Sequence, residues 1–189
     1  MADPFLHVVA GPNGSGKSSF YRDVLLPSMN LPFVNPDEIA RARWPNDPAR
    51  GAQEASRLAA AARDGLIARR ESFVTETVFS HSSKVDLIRT ARAAGYLVTL
   101  HVVLVPLELT ERRVTLRVAQ GGHSVPPEKI RERYARLWAL VVQGIGLANE
   151  AYVYDNSTAA RPFDRVASYQ DGQLLGEARW PSWTPIELR

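Results

Sequence analysis

One stretch near the amino end, FLHVVAGPNGSGKSSFYRDVLL, restricts the fold of this 189-residue chain more than any other. Phe5 to Ala10 reads as a short buried strand, and Lys17 to about Leu26, stopping before Pro27, as the helix that follows it. Between them Gly11-Pro12-Asn13-Gly14-Ser15-Gly16-Lys17-Ser18 fits G-x-x-x-x-G-K-[ST] at every fixed position. Anionic oxygens need several N–H donors converging on one point, and side chains obstruct that approach. Glycines let the backbone curl so that its amides face inward, and the helix opening near Lys17 adds its partial positive end. The loop is therefore predicted to hold phosphates. Gly11, Pro12, Asn13, Gly14, Ser15, Gly16 and Ser19 frame it, Lys17 reaches the β/γ-phosphates, and the Ser18 hydroxyl holds Mg²⁺.

The rest of the chain alternates strands with helices. Leu31 to Val34 reads as a second strand. In NPDEIARARW, Asn35 can cap a helix, Pro36 suits its first position, and Glu38 follows three residues after the cap. A turn at Pro45 to Pro48 leads into an Ala/Arg helix over about Gln53 to Arg70. Ser72 to Thr75 reads as a third strand and Ser82 to Ala94 as a helix stopped by Gly95. Tyr96 to Val105 is apolar on both faces, as a central parallel strand should be. Leu107 to Ala119 reads as helical, QGGHSVPP as a loop, and Pro127 to about Asn149 as a long helix. Its apolar face carries Ile130, Tyr134, Leu137, Trp138, Val141 and Ile145. Ala151 to Tyr154 is a further strand, Arg165 to Tyr169 and Gln173 to Gly176 a hairpin across Asp171-Gly172, and the tail is packed by Trp180 and Trp183. This pattern predicts an α/β fold: three layers around a mostly parallel sheet of about five strands, plus a carboxyl-terminal hairpin. The expectation is a single domain over residues 1–189, with a hairpin and tail from about 161 to 189.

Composition removes several classes. Cysteine is absent, which excludes disulfides and thiolate metal sites and fits a reducing cytoplasm. The apolar stretch Leu97 to Leu107 contains Thr99, His101 and Pro106 and does not suit a membrane span. The chain enters its first strand without a basic leader or cleavage site, so a cytoplasmic location is expected. Only Lys17, Lys84 and Lys129 among the 23 basic residues are lysines, and a net charge of +3 does not by itself argue for nucleic acid. No N-K-x-D segment reads guanine, and no L-S-G-G-Q stretch marks a transporter-type ATPase. A small transferase that moves a phosphoryl group to a bound acceptor remains.

Such a transferase needs a carboxylate beside the acceptor hydroxyl, at the carboxyl end of a strand. Asp37 follows the second strand, although an acidic residue in a helix's first turn is equally explained by the helix dipole. Glu76 ends the third strand between two threonines, where it caps nothing, and reads as a contact to substrate or to the Mg²⁺ shell. Positive charge for the transferring oxygens is supplied by ERRVTLRVAQGGHSVPPEKIRERYARL. Arg113 and Arg117 lie four apart on one helical face, and Arg131 and Arg133 begin the helix beyond the loop. With Gly121-Gly122 as hinge, residues of about 113–133 have the make-up of a lid. Three readings stay open on residues alone: a small-molecule kinase, a kinase of another metabolite or nucleic-acid end, and a nucleotide-dependent switch without an acceptor.

Taken in order, GPNGSGKSS, FVNPDEIA, FVTETVFSH, GYLVTLHVVLV, RVAQGGHSVP, IRERYARL and YVYDNS resemble the zeta-toxin family of P-loop kinases, in particular its compact bacterial members. The resemblance covers most of residues 5–157. It implies a nucleotide-kinase-like fold and ATP with Mg²⁺. It also implies transfer to the 3′-hydroxyl of a nucleotide sugar of the UDP-N-acetylglucosamine type, and an antitoxin protein as partner. It further implies Lys17 and Ser18 on ATP-Mg²⁺, Asp37 as the base on the acceptor hydroxyl, and Glu76 in the acceptor site with Thr77 and His81 beside it. Arg117 and Arg133 would then meet the ATP phosphates. Larger zeta toxins carry additional helices around the acceptor pocket, and this chain is short. Asp155 and Asn156 border the adenine in one reading and form a strand-end turn in the other.

Overall fold

The computed structural model describes residues 3–119 and 125–189; the hinge expected at Gly121-Gly122 lies outside them. Seven strands form one sheet: β1 (Phe5–Ala10), β2 (Phe33–Val34), β3 (Phe73–Thr77), β4 (Leu97–Leu104), β5 (Glu150–Asp155), β6 (Asp164–Gln170) and β7 (Gln173–Leu174). Their order is β2-β3-β1-β4-β5-β6-β7. The first five run parallel, as their apolar sequences predict, and β6 and β7 add antiparallel at the edge. The expected hairpin is thus an extension of the sheet. Asp171 and Gly172 turn it with positive φ values of 46° and 77°, which a two-residue turn between twisted strands requires.

The helices are α1 (Lys17–Phe20), α2 (Pro36–Arg43), α3 (Ala52–Ala68), α4 (Ser83–Ala93), α5 (Leu107–Ala119) and α6 (Pro127–Leu147). Two expectations need correction. The first helix is α-helical for one turn and widens to a π turn over Tyr21–Leu25, closed by Leu26 N donating to Tyr21 O at 2.8 Å. The second strand begins at Phe33, because Pro32 has no N–H to pair and only its carbonyl takes part, accepting from Val74 N at 2.9 Å.

The two sheet faces are covered unequally. On one, Leu6, Val8, Phe73, Leu100 and Val102 are buried by α3, α4 and α6, and α6 presents the apolar face read from its spacing. Tyr134, at the edge of that face, turns its hydroxyl to donate to Val105 O at 3.1 Å. The tail packs Trp180 and Trp183 against the same core. On the other face α1 and the π turn supply the cover, through Phe20 and Leu25 against Val9, Val74 and Val103. That face also carries a ring stack, with His7 and His101 centroids 5.4 Å apart, Tyr154 at 6.1 Å from His101, and Phe20 packed on His101 and Tyr154 at 5.4 and 4.7 Å.

Register decides what meets at the carboxyl end. Val9 lies opposite Glu76, and Val34 opposite Thr75. The segments leaving β1, β2 and β3 therefore start level with one another, beside the glycine loop. In an open parallel sheet this is where ligands bind.

Candidate phosphoryl-transfer site

The loop between β1 and α1 wraps around its own lysine. Lys17 is 6% exposed and its Nζ donates to Pro12 O at 2.8 Å, so the ammonium is held across the mouth of the loop. Gly16 adopts φ 94°, and a Cβ there would come within 2.5 Å of Asn156 Nδ2. Asn156 follows β5, is buried, and donates to Ser15 O at 2.8 Å. Arg113 on α5 donates to Asn156 O at 3.0 Å and reaches Gly14 O at 3.5 Å. The loop is clamped from behind by a side chain far along the chain, and this requires glycine at position 16. Asp155 and Asn156 thus form a strand-end turn, in which Asp155 Oδ1 accepts from Ser157 N at 2.8 Å.

Glu76 is the junction of the site. It is 9% exposed, and its Oε2 accepts from Ser18 Oγ and from Asn35 Nδ2, both at 2.8 Å, while Oε1 lies 4.0 Å from Lys17 Nζ. Asn35 serves two masters: its Oδ1 accepts from Asp37 N at 2.8 Å and caps α2, while its amide nitrogen holds the carboxylate. Burial pushes the Glu76 carboxyl above the ordinary carboxylate range, against the opposing pull of Lys17 and Ser18. Burial likewise lowers Lys17, against the fields of Glu76 and Asp37. Asp37 stands exposed at the start of α2, near enough to act electrostatically on both.

These groups line a cleft of about 760 Å³, large enough for a nucleotide and a second small molecule. Asn13, Gly14, Gly16, Lys17, Ser18 and Ser19 line it, as do Asp37, Glu76, Thr77 and His81. Arg113, Arg117 and Arg133 also reach it. Gly11, Pro12 and Ser15 are buried behind the loop and do not line the cleft. Arg131 turns away onto Glu111 at 2.6 Å. Two cations that no motif in the sequence marks, Arg63 on α3 and Lys84 on α4, line the same space. Nothing in the sequence distinguished Arg63 from Arg57, Arg69 and Arg70 around it; only its spacing of seven from Ser56, two helical turns on one face, hinted at a shared direction.

Such a cleft suits a polyanion. Lys17, Arg63, Lys84, Arg113, Arg117 and Arg133 face two carboxylates, and the loop's amides add to that field. Among the described residues no helix is long and apolar enough to cross a membrane.

Solved structures share this architecture. One is the AvrRxo1-ORF1:-ORF2 assembly with ATP, at TM-score 0.71 and 18% identity over 92% of this chain and 60% of that one. The chain therefore spans about three fifths of that protein's length. A chain of the PezAT chromosomal toxin-antitoxin system of Streptococcus pneumoniae superposes at 0.63, with 12% identity over 89% of this chain and 72% of that one. A gluconokinase from Sinorhizobium meliloti gives 0.53, with 20% identity over 86% and 87%. At such identities the likeness is one of fold, a P-loop kinase-like α/β architecture. No curated protein matches the chain. In sequence, residues 6–139 match the family described as AAA domain, and they take in the glycine loop, Glu76 and the arginines of α5 and α6. The chain belongs to that family, AAA_33.

Proposed function

We propose that this chain is an ATP-dependent kinase that transfers the γ-phosphoryl group to a hydroxyl of a small acceptor, of the nucleotide-sugar type implied by the resemblance to zeta toxins. The observation that carries this reading is the convergence of Lys17, Ser18, Asp37 and Glu76 on one cleft with arginines from α5 and α6. A phosphate loop alone would serve a switch. A free carboxylate opposite it serves transfer.

In this mechanism Lys17 and the loop amides bind the β- and γ-phosphates, and Arg117 and Arg133 meet the equatorial oxygens on which charge gathers. The acceptor oxygen bonds to the γ-phosphorus as the bond to the β-phosphate oxygen breaks, and ADP leaves. Asp37 takes the hydroxyl proton, since it is exposed to the cleft while Glu76 is already engaged by Ser18 and Asn35. The donor set fits Mg²⁺. Ser18 Oγ and Glu76 Oε2 are hard oxygens side by side, and among the described residues no cluster of three or more His, Cys, Asp or Glu would hold a metal unaided. When bound, Mg²⁺ supplies neutralisation of phosphate charge. A cytoplasmic toxin held in check by an antitoxin is the biological setting this reading favours, supported by the fold shared with the PezAT chain.

The test is transfer of label from γ-labelled ATP to UDP-N-acetylglucosamine and to a pool of other hydroxyl acceptors. Lys17→Ala should abolish it. Asp37→Asn should lower kcat by about 10²- to 10⁴-fold, the range for a general base, with ATP affinity little changed. ATP binding without transfer to any acceptor would overturn the kinase reading, and normal transfer by Asp37→Asn would remove the proposed base.

A further inference from the structure

The α3–α4 wall of the cleft holds two cations that no carboxylate pairs with among the described residues. Arg63 is 7% exposed and lines the cleft, yet among the described residues its guanidinium has neither an ion pair nor a hydrogen bond. The carboxylate acting on it belongs to Asp64, the next residue along α3, which is exposed to solvent. Lys84, half-buried in the first turn of α4, lines the same wall, and the charge felt there is the repulsive one of Arg63. Asp86, in that same turn, is engaged by Arg89. Neither cation is neutralised by Glu76 or Asp37, whose fields act on Lys17.

A folded chain rarely buries an arginine without a partner, because the guanidinium gives up much of its hydration and gets little back. Setting a lysine beside it at the amino end of a helix, where the dipole already favours anions, makes the arrangement less favourable still. Arg63, Lys84 and the first turn of α4 bring three positive features to one cleft. That place becomes favourable only when an anion fills it. Ala52 and Ser56, earlier on the same face of α3 as Arg63, keep side chains small along the approach.

We infer that Arg63 and Lys84 form an anion subsite for the acceptor, so that this protein acts on small molecules carrying a phosphate or carboxylate group in addition to the reacting hydroxyl. The inference rests on the kinase reading for which end of the cleft receives the acceptor; the subsite itself rests on the uncompensated cations. With ATP on the glycine loop and its γ-phosphorus facing Asp37, the acceptor lies between α2 and the α3–α4 wall. Its oxyanion is gripped by the planar fork of Arg63 and the point charge of Lys84, and its hydroxyl is presented to Asp37. Selection comes from what a neutral acceptor would leave behind: a buried and a half-buried cation without partners.

The experiment fills the glycine loop first. With the full chain saturated by Mg²⁺ and a non-hydrolysable ATP analogue, inorganic phosphate, glucose 6-phosphate, gluconate and glucose are titrated by calorimetry. Phosphate or sugar phosphate, or the sugar acid, should bind, and glucose should not. Whether the phosphate or the carboxylate arm binds more tightly identifies the preferred oxyanion. Arg63→Gln and Lys84→Gln should each weaken binding about ten- to a hundredfold, as loss of a hydrogen bond to a charged group does, while affinity for the ATP analogue stays the same. Arg63→Gln should also leave the melting temperature of the free protein unchanged or raised, since it removes a strained charge; a structural arginine would lower it. Equal binding of glucose and its charged counterparts, or anion binding indifferent to both substitutions, would overturn the subsite. Anion binding that depends on Arg63, together with no transfer from γ-labelled ATP to any acceptor of the hydroxyl pool, would keep the subsite and overturn the kinase.

Discussion

Glu76 shows how one residue's meaning depends on its neighbours in space. On the sequence it is a carboxylate at a strand end; in the fold it ties Ser18, Asn35 and Lys17 together across three separate segments. Its position was legible because parallel strands place their carboxyl ends at the ligand edge. Lys17 and Ser18 were legible from the motif's fixed spacing, and Asp37 from its place two residues beyond a cap. Arg63 was not, because an arginine on an arginine-rich helix carries no mark of burial until packing decides which face turns inward. Gly16 offers a sharp test at this scale. Its φ of 94° and the 2.5 Å approach of Asn156 Nδ2 leave no room for a methyl group. Gly16→Ala should weaken ATP binding at least about tenfold and lower thermal stability, since left-handed backbone costs a residue other than glycine of order 1–3 kcal/mol. Calorimetric titration with ATP and a melting curve check both.

At the scale of elements, α2 is where local and long-range structure share one side chain. Asn35 was read as a cap, and it is one; that its amide also restrains Glu76, 41 residues away, no local pattern could say. Asn35→Ala should cost about 0.5–2 kcal/mol for the cap and more for the lost bond to a buried carboxylate, measured by urea unfolding. Asn35→Asp keeps the capping oxygen and sets a second acid against Glu76, so it separates the two roles. The α6 stripe was fully legible because helical periodicity is a strong signal over twenty-one residues. The π turn after α1 was not, since nothing in YRDVL distinguishes i+5 from i+4 bonding. β2 is shorter than its apolar letters suggest because Pro32 lacks the donor that a longer strand would need.

For the whole molecule, the unequal cover of the sheet has a pH signature. His101 is buried in the ring stack with His7, 3.2 Å from it between ring nitrogens, and burial holds its pKa down at about 3; His7 is lowered too, chiefly by burial. Unfolded, both imidazoles protonate near pH 6.5. The unfolded chain then binds more protons than the native one, so stability present above pH 6.5 is lost as pH falls toward about 3. His101 alone gives a slope approaching about 1.4 kcal/mol per pH unit. Urea unfolding between pH 6.5 and 5, above the ordinary carboxylate range, should show this decline, and His101→Phe should flatten it, which separates the histidine from the raised Glu76 carboxyl. The overall topology was readable from alternating elements, whereas this cover was not, because which face a helix takes is settled by its connections. A last consequence follows from Asn156, which grips the glycine loop from beyond residue 139, where the family match stops. A fragment trimmed to the matched segment would retain every letter of the phosphate motif yet lose the strut that shapes it. For anyone cutting or grafting this protein, the working boundary of the nucleotide pocket lies past the end of its recognisable signature.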